Sequence, residues 1–174
     1  PVTTPYGDPA GDFAGVSFLD LFDLEEIQKI QDSFSLATGV ASLITDPEGQ
    51  ALTRPSNFCR LCAGLIRKTE IGSARCRCSD AALGHSRANG FALHPCLSAG
   101  LWDGGAGIYA GGHHIANWLI GQVLDESVDL EKVLGFGREI GADEAAFKEA
   151  LEEVPRMSRE RFSKIGDALY LIAQ

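Results

Sequence analysis

The residues able to do chemistry stand close together. Five cysteines, Cys59, Cys62, Cys76, Cys78 and Cys96, fall in the middle of the chain and none lies elsewhere. Thiols two residues apart can turn toward one ion, so Cys59, Cys62, Cys76 and Cys96 would supply four soft ligands for zinc or an iron–sulfur cluster, with Cys78 spare. Three other readings stay open. Cysteine is among the most buried residue types, and on helices one thiol of each pair would simply face the core. A redox-responsive pair needs thiol pKa values depressed by cations, which Arg60, Arg75 and Arg77 could provide. A catalytic thiol needs a base and an orienting partner. The sequence places neither, so the domain reads as non-enzymatic.

A second set lies downstream. Strict alternation over His113 to Leu124 puts His114, Ala116, Trp118, Ile120 and Gln122 on one face of a strand, and His113, Ile115, Asn117, Leu119 and Gly121 on the other. Trp118 and Gln122, with His114 on the same face, could wall a small pocket, and Trp102 and Asp103 on the preceding strand could add a second wall and an acceptor for hydroxyl groups. An aromatic surface with a few placed polar groups is the chemistry of a site for a short polar organic molecule. Plain core packing is the alternative for both tryptophans. The histidines, beside Gly111-Gly112, read as strand-end residues rather than metal ligands. Gly104-Gly105-Ala106-Gly107 lies within a strand pattern and does not form a phosphate-binding loop.

The elements that must position these residues are marked by periodicity and punctuation. Leu21, Leu24, Ile27, Ile30, Phe34 and Ala37 recur at three and four, with Asp23 as cap and Gly39 as stop, predicting an amphipathic helix. Val40 to Thr45, the turn Asp46-Pro47-Glu48-Gly49, and Gln50 to Thr53 predict a hairpin. Phe58 to Lys68 and Ser73 to Ser86 read as helices interrupted near Gly72. Gly90 to Leu93, Leu101 to Ala110 and His113 to Leu124 read as strands, the last two joined at Gly111-Gly112. Helices follow over Leu130 to Ile140, Glu144 to Glu152 capped by Asp143, and Ser158 onward with Phe162, Ile165, Leu169 and Ile172 as its stripe. This order predicts an α+β arrangement, an antiparallel sheet with helices over one face.

Composition sets the outer limits. The 174 residues suffice for one domain with a full core, 45% of them are hydrophobic, and the formal net charge is −9. That charge argues against a nucleic-acid surface. No apolar run approaches the roughly 20 residues of a membrane span and no signal segment opens the chain, so a cytoplasmic location is expected, with reduced thiols. Residues 1–17 read as a loosely ordered arm and 18–174 as the domain. Because the chain opens at Pro1 and stops within a helical pattern, it is expected to be a segment of a longer protein.

The runs Asn57-Phe58-Cys59-Arg60-Leu61-Cys62, Ile66-Arg67-Lys68-Thr69-Glu70, Cys76 with Ser79-Asp80, Cys96 to Asp103, and Gly112 to Val123 together resemble the PocR sensory domain, over roughly Phe18 to Gln174. The resemblance implies a PAS-like ligand-sensing domain of the kind found in histidine kinases of two-component systems, other signalling proteins and transcription regulators. It implies a small hydrocarbon derivative such as propanediol as ligand and an output domain in the same chain. It also favours Cys78 as the spare thiol, since related chains carry another residue there. The apolar stripe of the final helix meets no stop, so it is expected to continue as a connecting helix and to pair in a homodimer of the full-length protein.

Overall fold

The computed structural model describes residues 15–85 and 90–174, so most of the expected arm lies outside the described residues. Four strands, β1 (Ala41–Thr45), β2 (Ala92–Pro95), β3 (Trp102–Ala110) and β4 (His113–Val123), form one antiparallel sheet in the order β1-β4-β3-β2. With its flanking helices this is the expected α+β class. Gly111 and Gly112 join β3 to β4 with φ of 54° and 81°, the left-handed pair that a two-residue hairpin turn requires. The turn after β1 is closed by Gly49 N–H donating to Asp46 O at 3.1 Å. Its returning segment pairs with β1 only at Thr45↔Ala51 and Ser42↔Ser56. The predicted hairpin is therefore present, but its second strand is reduced to two bridges.

Helices α1 (Phe18–Leu21) and α2 (Leu24–Thr38) precede the sheet. The ends of α2 follow the sequence: Asp23 accepts from the Glu25 and Glu26 amides, and Gly39 stops the helix at φ 79°. Its orientation does not. Gln28, Gln31 and Ser35 are the buried face, while Ile30 remains 49% exposed. The cause is the irregular segment beyond β1, where Arg54, between the two bridges, finds its backbone partners in α2 side chains. Gln28 Oε1 accepts from Arg54 N at 2.8 Å, Gln31 Nε2 donates to Arg54 O at 2.8 Å and to Ser56 Oγ at 2.6 Å, and Thr53 Oγ1 donates to Gln31 Oε1 at 2.5 Å. Satisfying buried backbone outweighs burying one more aliphatic side chain. The expected stripe survives at its edge, where Leu24, Ile27 and Phe34 pack half-buried against the core.

A π-helical segment (Leu61–Ile66) and α3 (Glu70–His85) come next. The break between them falls at Arg67 to Thr69 rather than at Gly72. Thr69 Oγ1 accepts from Gly72 N at 3.0 Å, capping α3, and a Cβ on Gly72 would meet Ile66 O at 2.1 Å. Gly72 is thus a close-packing position inside the helix. The last three helices, α4 (Leu130–Glu139), α5 (Glu144–Glu152) and α6 (Arg159–Ile172), stand where predicted, with Asp143 and Ser158 as caps.

The helices cover both faces of the sheet, not one as the element order suggested. Against one face, Ile44, Ala106, Trp118 and Ile120 pack with Phe162 and Leu169 of α6, with Phe34 of α2 at the margin. Against the other, α3 lies over Leu119 and Gly105, close enough that a Cβ on Gly105 would meet both Leu119 and Leu83. A second core joins Leu61, Cys62 and Ile66 to α4 and α5 through Leu101, Leu124, Val133 and Phe147.

The α2 glutamines give a direct test. Gln31→Ala removes the bonds to Arg54 O, Ser56 Oγ and Thr53 Oγ1 together, and is expected to destabilise the domain by about 1–3 kcal/mol in urea titration. Ile30→Ala, on the half-exposed flank, should cost less than half of that.

Candidate functional site

The site is built by an irregularity in β4. Trp102 pairs with Val123 but Gly104 pairs with Ile120, so Asp103 faces two residues, Gly121 and Gln122. This is a β-bulge, and Gln122 sits in it at φ 61°. Such a conformation costs a non-glycine residue of order 1 kcal/mol. It is held from two sides: Gln122 N–H donates to Asp103 Oδ1 at 2.8 Å, and Gln122 Oε1 accepts from Cys59 N at 2.8 Å. Gly121 is required here, since a Cβ would stand 1.9 Å from Asp103 Oδ1. The bulge also redirects the Gln122 side chain, away from Trp118 and toward α3.

Opposite the bulge stands a buried ion pair. Arg67, delivered by the end of the π-helical segment, donates from Nη2 to Asp80 Oδ2 at 2.9 Å. Cys76, Ser79, Asp80 and Leu83 make the inward face of α3 at helical spacing. Cys78 points outward and is exposed. The Arg67 guanidinium lies 5.2 Å over the Phe58 ring. Its Nε is buried with no hydrogen-bond partner, a state that costs free energy unless something occupies the site.

Arg67, Asp80, Asp103 and Gln122 form a septum between two small cavities. One is walled by Ala41, Leu43, Phe58, Leu83 and Leu119. The other is walled by Cys62, Cys76, Cys96, Ser79 and Ser98. Each has about 20 Å³ of free space, room for a single water.

Burial dominates the electrostatics. It pushes the Asp103 carboxyl up to about 7, with only the Gln122 N–H and the Arg67 charge pulling it back. Asp80 is raised for the same reason, partly offset by Arg67. Among the thiols, Cys59 is held at about 7 by a hydrogen bond from the Cys62 thiol. Cys62 is pushed well up by that same bond and by burial, and burial drives Cys96 up to about 12. Among the described residues no three His, Cys, Asp or Glu side chains stand close enough to hold one ion. As placed, the thiols share a recess but not a tetrahedral centre.

The septum thus joins two carboxyls, a guanidinium and an amide beside an apolar wall. The family model described as the sensory domain found in PocR matches residues 20–174. The chain belongs to the PocR sensory domain family. Its PAS-like α+β class agrees with the sheet described above. The chain is similar to the regulatory protein PocR of Salmonella typhimurium, 32% identical over 153 residues, which is 86% of this chain and 50% of the relative. It therefore spans about half the length of the curated relative it matches. No solved structure matches. Membership in a regulatory sensory family fits a role without catalysis, and no helix among the described residues is long and apolar enough to cross a membrane.

The PocR sensory domain brings together only part of the sequence-predicted set. Asp103 and Gln122 meet in the septum. Trp118 lies on the opposite face, 6.0 Å from Phe34 between ring centroids, with Nε1 donating to Ser42 Oγ at 2.9 Å. Trp102 also faces away, donating to Asp125 Oδ1 at 2.9 Å, with Arg159 4.6 Å above its ring. His114 stacks on Tyr109 and contacts Asn117 Oδ1 through Nε2 at the far end of β4. Trp118 is buried and Trp102 half-buried, both on the face away from the septum. Arg67 and Asp80 were given no role by the sequence, although the spacing Cys76-x-x-Ser79-Asp80-x-x-Leu83 places Asp80 on the same helical face as Cys76.

The raised Asp103 carboxyl has a measurable consequence. In the unfolded chain it ionises near 3.8, in the folded domain near 7, so between these values the folded state holds a proton that the unfolded state has lost. This contribution is full below the lower value and declines as pH rises through the upper. Asp103→Asn, which keeps the acceptor for Gln122 N, should match wild type near pH 4. It should then become relatively more stable as pH rises to about 7, by up to about 4 kcal/mol, in urea titrations across pH.

Proposed function

We propose that this domain binds a short-chain hydrocarbon derivative such as a diol at the Arg67–Asp80–Asp103–Gln122 septum and passes the event to an output domain in the same chain, such as a histidine kinase. The observation that carries this reading is the buried Arg67 Nε without a hydrogen-bond partner, on a side chain that lines both cavities together with Asp80, Asp103 and Gln122. A hydroxyl can accept from Arg67 and donate to Asp103, while the wall of Ala41, Leu43, Phe58, Leu83 and Leu119 takes the hydrocarbon part. The small free volume makes the described state a closed one. Binding then requires the π-helical segment, which carries Arg67, to move outward.

The route to the output follows the chain. Beyond the bulge, Leu124 N donates to Pro155 O and Leu124 O accepts from Met157 N, both at 2.9 Å. The next residue caps α6. Exposed Leu171 and Ile172 near the end of that helix support its use for pairing in a homodimer. A cytoplasmic location is part of this reading.

Titration calorimetry with propanediol tests it. Wild type is expected to bind, and Asp103→Asn and Arg67→Lys to weaken binding by about 1–3 kcal/mol each while remaining folded by circular dichroism. Absence of binding by wild type, or undiminished binding by both variants, would count against the septum as the site.

A second reading rests on Cys62, Cys76 and Cys96 lining one recess with Cys59 beside them. Zinc or an iron–sulfur cluster would need those thiols to rotate inward together. Elemental analysis of purified protein decides: stoichiometric metal lost on serine substitution at each of the four, but retained in Cys78→Ser, would favour this reading. Metal-free folded protein would remove it.

A further inference from the structure

The pairing of Cys59 with Cys62 differs from every other thiol relation in the domain. Ala63 N–H donates to Cys59 O at 3.0 Å, so the two cysteines lie three apart on one closed helical turn. Side chains three apart on such a turn are neighbours with Cβ atoms about 5–6 Å apart, so the turn must tighten a little to reach the roughly 4 Å Cβ separation of a disulfide. Cys59 is half-buried and Cys62 buried, so Cys59 is the more accessible residue of the two. Cys76 and Cys96 line the same recess as Cys62 but are held by other partners. Cys76 contacts Ser98 Oγ at 3.2 Å, Cys96 is fixed in the turn before β3 by Cys96 N donating to Leu101 O, and Cys78 faces outward.

We propose that Cys59 and Cys62 form a reversible disulfide that lowers ligand affinity by locking the first turn of the π-helical segment closed. The coupling half of this proposal rests on the ligand reading above; the disulfide half does not. The oxidant class is a hydroperoxide. The Cys59 sulfur, its proton released to solvent, attacks the outer peroxide oxygen, giving a sulfenic acid and expelling the other oxygen as water or alcohol. The Cys62 sulfur then attacks the Cys59 sulfur, the sulfur–sulfur bond forms and the hydroxyl leaves as a second water. Two electrons pass from the thiols to the peroxide, and a dithiol reductant reverses the change.

The link to the septum is direct. Cys59 N–H is the donor to Gln122 Oε1, and the same glutamine's amide is held by Asp103. The segment that begins at Cys59 ends at Arg67, so tying its first turn resists the outward movement that admits a ligand. When the competent state becomes rarer, apparent affinity falls in proportion.

The test uses the whole chain with Cys78→Ser, which removes the exposed spare thiol, in chelator-containing buffer. Protein is treated with hydrogen peroxide, mapped by peptide mass spectrometry, and titrated with propanediol before oxidation, after it, and after dithiothreitol. The expected result is a Cys59–Cys62 crosslink with affinity about tenfold weaker, restored by the reductant, and no peroxide effect on affinity in Cys59→Ser. If that variant does not fold, the unsubstituted chain with iodoacetamide trapping supplies the same map. A crosslink mainly to Cys76 or Cys96, or over-oxidised Cys59 without any crosslink, overturns the disulfide. Affinity unchanged within twofold after full crosslinking overturns the coupling. Failure of the reduced protein to bind propanediol overturns the ligand reading and the coupling with it, while the crosslink map still decides the disulfide.

Discussion

The hydrogen bond from the Gln122 amide to Asp103 is the constraint on which the site depends. It holds a non-glycine residue at φ 61°, and through that one displaced residue it breaks the alternation of β4. The cost of the left-handed backbone is offset because Gln122 is gripped again by the Cys59 amide. Sheet, π-helical segment and α3 are thereby drawn to a single point. Without the bulge Gln122 would project beside Trp118 into an apolar core, and the face toward α3 would present only Leu119 and Gly121.

The buried charges are understandable only as a group. An isolated buried ion pair rarely stabilises a fold relative to apolar packing, because the desolvation of both partners consumes the attraction. Arg67 and Asp80 are a strong geometric pair, yet Arg67 keeps a nitrogen unsatisfied and Asp103 is driven toward its neutral form nearby. Stability alone does not account for three ionisable groups crowded behind Phe58. The proposed hydroxyl-binding role would, since such a site holds polar capacity that a bound partner satisfies.

Much of the fold could be read from local signals. Asp23, Gly39, Asp143, Ser158 and the Gly111-Gly112 pair mark element ends through their own backbone chemistry, and the structure keeps each of them. Helical period alone separates Cys78 from Cys76, Ser79 and Asp80. What escaped the sequence depends on groups far apart in the chain. Gln31 faces inward because the Arg54 carbonyl and the Ser56 and Thr53 hydroxyls need partners, a need invisible from within α2. Gln122 changes face because of Asp103 on a neighbouring strand, although the glycine just before it is the kind of residue that marks a bulge. The layering of helices over both faces likewise follows from which strand face remains uncovered, and no periodicity carries that.

Phe91 has a mechanical role that follows from two glycines. Its ring occupies the space where a Cβ on Gly104 of β3 or on Gly166 of α6 would stand, at 2.1 Å in both cases. Phe91 thus wedges helix and sheet at a point halfway along α6, between the sheet contacts of Phe162 and Leu169. A stiff helix supported at its middle has two arms of nearly equal length, each about 10 Å. One arm ends at the cap fastened to Leu124 and the other at the exposed Leu171 and Ile172. The ring marks the midpoint between the end fastened to the sheet and the end that faces outward.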